Sequence, residues 1–187
     1  MLVEKLIGSK SYDTFTDVKT NANRGHFTHR ITFDYTDYIA AMDALSAPAL
    51  TATVKAPLAL EPGTTNEKGL LKGWLVRDVV TYIKTPFALP NLGYGLFDFG
   101  PNTDYDKFLK SISTDTAAAW SAYATQGDSG KYGYISTAHA TLGGKLTCTS
   151  SGTNKLDTLT AGEIEVYMEI VDMNDLITEG AWATVTL

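Results

Sequence analysis

Apolar and polar positions alternate along several stretches of this chain, and that period of two predicts a protein built mainly of strands. From His26 to Tyr35, Phe27, His29, Ile31 and Phe33 alternate with Thr28, Arg30, Thr32 and Asp34. Glu163 to Val171 is the cleanest case: Ile164, Val166, Met168 and Ile170 fall on one face and Glu163, Glu165, Tyr167 and Glu169 on the other. Trp74 to Lys84 is rich in β-branched and aromatic residues and reads as a strand. Leu50 to Leu60 reads as extended, and Pro57 within it argues for a sheet edge, where a missing N–H is tolerated. Shorter strands are predicted at Leu96–Gly100, Tyr132–Ser136, His139–Leu142, Lys145–Thr149 and Trp182–Leu187. Gly143-Gly144, between two of these, reads as a hairpin turn.

Helical signals are few. Thr36-Asp37 is placed to cap a short helix over Tyr38–Leu45, stopped by Pro48. Within residues 104–125, Tyr105, Phe108, Leu109 and Ile112 recur at helical spacing, and Ala117, Ala118, Ala119, Trp120 and Ala122 are mostly good helix formers. One or two short helices are predicted there. Glu61 to Gly69 is a loop. Residues 8–25 are polar and turn-rich, with isolated aromatics at Tyr12 and Phe15, and read as an extended segment. The resulting expectation is a mainly β, jelly-roll-like β-sandwich over residues 26–187, with one or two short helices and an extended N-terminal arm over residues 1–25.

Composition narrows the partners. The chain has 187 residues, enough for one domain with a real core. A net charge of −6 with no Lys/Arg cluster repels a phosphate backbone, so no nucleic-acid partner is expected. No stretch approaches the roughly 20 apolar residues that span a bilayer, and Met1 to Ile7 lacks the pattern of a cleaved leader. The lone cysteine, Cys148, excludes an internal disulfide and reads as a small strand residue.

The candidate chemistry is thin. Asp98-Phe99-Gly100 matches the kinase magnesium tripeptide, but no glycine-rich phosphate loop or His-Arg-Asp loop accompanies it. Asp98, Asp104 and Asp106 are close in sequence, yet their spacing does not supply the ligands of a calcium loop. His26 and His29 would point to opposite faces of a strand, and His139 is far away in sequence. Glu163, Glu165 and Glu169 suggest paired-acid hydrolysis, but they share a polar strand face where solvation, or pairing with Lys or Arg across an interface, is expected. No nucleophile elbow, phosphate loop or dinucleotide fingerprint is present. The expectation is therefore no catalytic residue, no metal site and no cofactor. Ten tyrosines point instead to contact surfaces, because a phenol buries area while keeping a polar tip.

One pattern runs from Val79-Val80-Thr81-Tyr82-Ile83-Lys84-Thr85-Pro86-Phe87 through Phe97-Asp98-Phe99-Gly100 and Asp104-Tyr105-Asp106-Lys107-Phe108-Leu109. It ends at Leu159-Thr160-Ala161-Gly162-Glu163-Ile164-Glu165-Val166-Tyr167-Met168-Glu169. Over about residues 73–173 it resembles head and minor structural proteins of tailed bacteriophages. The resemblance implies a capsid decoration, or cement, protein with a jelly-roll core, synthesised in the host cytoplasm and resident on the virion. It implies a partner in the major capsid protein, self-association as a homotrimer or dimer, and no catalytic residues. Contact residues expected in the N-terminal part are Tyr12, Phe15, Phe27 and Phe33. The rival reading is a receptor- or carbohydrate-binding module of a phage tail or fibre, since jelly rolls also serve lectins.

Overall fold

The structure is a computed structural model that describes residues 2–5, 27, 29–45, 47, 49–56, 70, 72–115, 119–122, 133–137, 140–150 and 153–173. Its strands are β1 (Leu2–Lys5), β2 (His29–Asp34), β3 (Thr51–Ala56), β4 (Trp74–Ala88), β5 (Leu92–Pro101), β6 (Leu109–Ser113), β7 (Ala119–Ala122), β8 (Tyr134–Ile135), β9 (Leu142–Ser150) and β10 (Ala161–Asp172). One helix, α1 (Tyr35–Asp43), and a 3-10 turn at Leu156–Thr158 complete the described elements.

The strands form two antiparallel sheets, as expected of a β-sandwich. The larger runs β1-β2-β10-β4-β7, with β8 also paired to β4, and the smaller runs β3-β9-β5-β6. β3 is an edge strand, in line with the reading of Leu50–Leu60, although Pro57 itself lies outside the described residues. Most of the proposed arm over residues 1–25, including Tyr12 and Phe15, also lies outside them, as does Trp182–Leu187. The described part of that arm is β1, which extends the larger sheet by pairing with β2 from Leu2↔Thr32 to Lys5↔His29.

The core lies between the sheets. Ile31 and Phe33 of β2, Ile164, Val166 and Met168 of β10, and Ile83 of β4 are wholly buried on the inner face of the larger sheet. Phe97, Phe99 and Leu146 meet them from the smaller one. The Phe33 ring lies 5.6 Å from Phe97 and 6.0 Å from Phe99, a tilted and an edge-on contact that lock the two layers. α1 carries the chain from β2 of the larger sheet to β3 of the smaller one. Its buried Tyr38 stands edge-on to Phe87 at 5.6 Å, and its hydroxyl donates to the Gly144 carbonyl at 3.3 Å.

The helix begins earlier than the sequence suggests. Its cap is Asp34, the last residue of β2, rather than Thr36-Asp37. Asp34 Oδ1 accepts from the N–H groups of Thr36 at 2.7 Å and Asp37 at 3.2 Å, while Asp37 Oδ2 accepts from the Asp34 N–H at 3.0 Å. This reciprocal box satisfies three N–H groups at the strand-to-helix junction. Burial alone would raise the Asp34 carboxyl pKa, but the hydrogen bonds from Thr36 and Asp37 prevail and hold it below its ordinary value.

Three further expectations are corrected. First, no helix is described within residues 104–125; Leu109–Ser113 is β6 and Ala119–Ala122 is β7. The helical spacing of Leu109 and Ile112 arises from a bulge, because Phe99 pairs with Leu109 and Phe97 with Ile112, so Lys110 and Ser111 together oppose Asp98. Ser111 takes a φ of 53°, and Asp98 Oδ1 accepts its N–H at 2.7 Å. Second, Gly143-Gly144 is no turn but the interior of the continuous strand β9. A Cβ on Gly144 would stand 2.7 Å from the Phe97 ring and 2.9 Å from the Phe33 ring, so the glycine makes room for the aromatics that join the sheets. Third, Leu96–Gly100 is part of a longer strand, β5, which continues through Gly100 to Pro101. Similarly, β4 runs past Lys84 and through Pro86 to Ala88. Pro86 is accommodated where the β10 pairing shifts register between Ala161 and Glu163.

Candidate functional site

The outer face of the larger sheet brings ionisable side chains of β2, β4 and β10 together with Phe27, Tyr82 and Tyr167. Alternation along β10 sends Ile164, Val166 and Met168 inward, so Glu163, Glu165, Tyr167 and Glu169 point away from the smaller sheet. The sequence predicts solvation of these acids or pairing with Lys or Arg across an interface. Instead, Glu165 and Glu169 are each only 8% exposed, and Tyr167 is buried too. A carboxylate so shielded needs a cation or hydrogen bonds to remain charged.

Each glutamate has its cation, supplied by a flanking strand of the same sheet. Arg30 of β2 lies 3.6 Å from Glu165 Oε1. Arg77 and Lys84 of β4 lie 2.8 Å from Glu169 Oε1 and 2.7 Å from Glu163 Oε1. The two β4 cations occupy equivalent places in the ladder. Ile170 pairs with Val76 and Glu169 with Asp78, which leaves Arg77 as the extra residue of a register shift. Ile164 pairs with Ile83 and Glu163 with Thr85, which leaves Lys84 as the extra residue of another. A bulge re-aims a side chain, and here each places a cation beside a glutamate of β10.

The centre of the face is a small cluster. The Tyr167 hydroxyl donates to Glu165 Oε2 at 2.5 Å, and Phe27 lies 6.1 Å from the Tyr167 ring. Val80 packs with both, and the half-buried Tyr82 lies against them. Burial pushes the Tyr167 phenol well above its ordinary pKa. The bond to Glu165 and its charge add to the shift, and Arg30 partly opposes it. Tyr167 is therefore a fixed hydrogen-bond donor at neutral pH. At the exposed end of the row, the hydrogen bond to Glu163 raises the Lys84 pKa, with burial opposing. Such an exposed pair contributes only about 0–1 kcal/mol.

The three glutamates do not form the facing pair that carboxyl-assisted glycoside hydrolysis uses. A hydrolytic pair flanks the scissile bond, one carboxyl protonating the leaving group and the other acting from the opposite face. Here three carboxylates are spread along a strand, each in an ion pair with a different side chain.

The other candidates are also engaged. Asp98 lies on the outer side of β5, where it accepts from Ser111 and faces Lys145 Nζ at 3.3 Å, so it anchors the β6 bulge. Asp106 pairs with Lys110 at 2.8 Å. A hydrogen bond between the carboxyls of Asp104 and Asp106 pushes Asp104 up, while the same bond and Lys110 push Asp106 down to about 2. Among the described residues, no three His, Cys, Asp or Glu side chains are grouped to hold a metal ion. His29 is buried beside Trp74, with ring centroids 6.1 Å apart, whereas His26 and His139 lie outside the described residues. Cys148 is a buried residue of β9, and burial, with Asp115, pushes its thiol up to about 12, so it carries its proton at neutral pH.

The proposed contact residues separate. Tyr12 and Phe15 fall outside the description. Phe33 is wholly buried at the sheet–sheet contact, and Phe27 is buried against Tyr167 on the opposite face from Phe33. Both are buried within the single chain. Tyr38 and Tyr167 are likewise internal, whereas Tyr94 is 46% exposed. Sequence reasoning did not single out Arg30, Arg77 or Lys84. The available signal was the pair Val76 and Val79, both core residues three apart in a strand, which marks a bulge at Arg77-Asp78.

Among the described residues no helix is long and apolar enough to cross a membrane. No known protein family, curated protein or solved structure matches the chain.

Proposed function

We propose that this chain is a non-enzymatic structural protein that works by packing against other protein chains. The observation that supports this reading is the state of the three β10 glutamates. Each is held by a cation from a flanking strand, and the central one also by Tyr167, so the acids of this face brace the sheet. The buried, protonated Cys148 and the Asp98 that holds the β6 bulge fit the same reading.

At finer grain, we propose a capsid decoration protein that bridges neighbouring major capsid protein subunits as a homotrimer. The support is the resemblance of about residues 73–173 to tailed-phage head proteins, together with a braced two-layer fold suited to a mechanical task. Bridging would bury area across shell seams, and an apolar contact gains about 25 cal/mol per Å² before ordering costs are subtracted. Repetition around a closed shell multiplies each modest contact.

The test is direct. The purified chain is measured by light scattering, then mixed with expanded shells of a tailed-phage major capsid protein from its own source genome and sedimented. A trimer that co-sediments in near-stoichiometric amounts is the expected result. A strict monomer that stays in the supernatant overturns the proposal, and reproducible signal on a glycan array moves the assignment to a sugar-binding tail module.

A further inference from the structure

We draw no further inference here: the strongest candidate, the Phe27–Val80–Tyr82–Tyr167 patch beside the Arg30–Glu165 pair on the outer face of the larger sheet, belongs to the site already described.

Discussion

β9 and β10 hold the same position in their respective sheets and solve opposite packing problems. Each is an interior strand, β9 between β3 and β5 and β10 between β2 and β4. β10 builds the core from its own side chains, with Ile164, Val166 and Met168 wholly buried. β9 withholds side chains at Gly143 and Gly144 and lets its neighbours fill the space. Phe33 and Phe97 close over Gly144, and Tyr38 hydrogen-bonds its carbonyl. The middle of β10 is therefore sensitive to deletion, and β9 at Gly143 and Gly144 to addition. Interior volume is conserved across the two layers, not along each strand separately.

Substitutions can break this contrast or sharpen it. The largest effect is expected from Met168→Ala on β10, which removes a wholly buried side chain and leaves a cavity. A loss of about 2–5 kcal/mol in urea unfolding is expected. If instead the loss is under about 1 kcal/mol, the inner face of β10 is not close-packed. Next comes Gly144→Ala on β9, expected to cost about 1–3 kcal/mol because the new methyl meets two rings. Combining it with Phe33→Leu should recover part of that loss in a double-mutant cycle. Strict additivity would mean that the glycine does not exist for the sake of that ring.

Asp34→Ala has the smallest expected effect, about 0.5–2 kcal/mol at neutral pH. It also carries a pH signature. The folded carboxyl titrates below its ordinary 3.8, so the unfolded chain takes up the proton first. The stabilisation is complete above the unfolded value and is lost as pH falls through the folded one. The variant should therefore lose less stability than the parent between neutral pH and the acid limb. Parallel stability–pH curves for the two would show that the cap contributes nothing there.

The same contrast explains what could be read from the sequence. In β10 the side chains that form the core are its own, so strict alternation made both face and strand legible. In β9 the reason for Gly144 lies in Phe33 and Phe97 and that for Gly143 in Tyr105 and Thr53, all far away in the chain, and a local reading turned two packing glycines into a hairpin. β6 failed for a related reason: one bulge residue, Ser111, converts a period of two into the three-residue spacing of Leu109 and Ile112. The sandwich was legible because most strands alternate. The outer face was legible only in part: the glutamates stood out, whereas Arg30, Arg77 and Lys84 join them through strand pairing, of which only the Val76–Val79 spacing leaves a local trace.

If the β10 acids brace the sheet, neutralising the central one should weaken the fold. If they served a reaction, the same change should relieve a strained, polar site and leave stability equal or higher. Urea unfolding of Glu165→Gln against the parent chain at neutral pH distinguishes the two. A loss of about 1–3 kcal/mol is expected, because Arg30 is left without its carboxylate and Tyr167 with a weaker acceptor. An unchanged or raised midpoint would contradict the account.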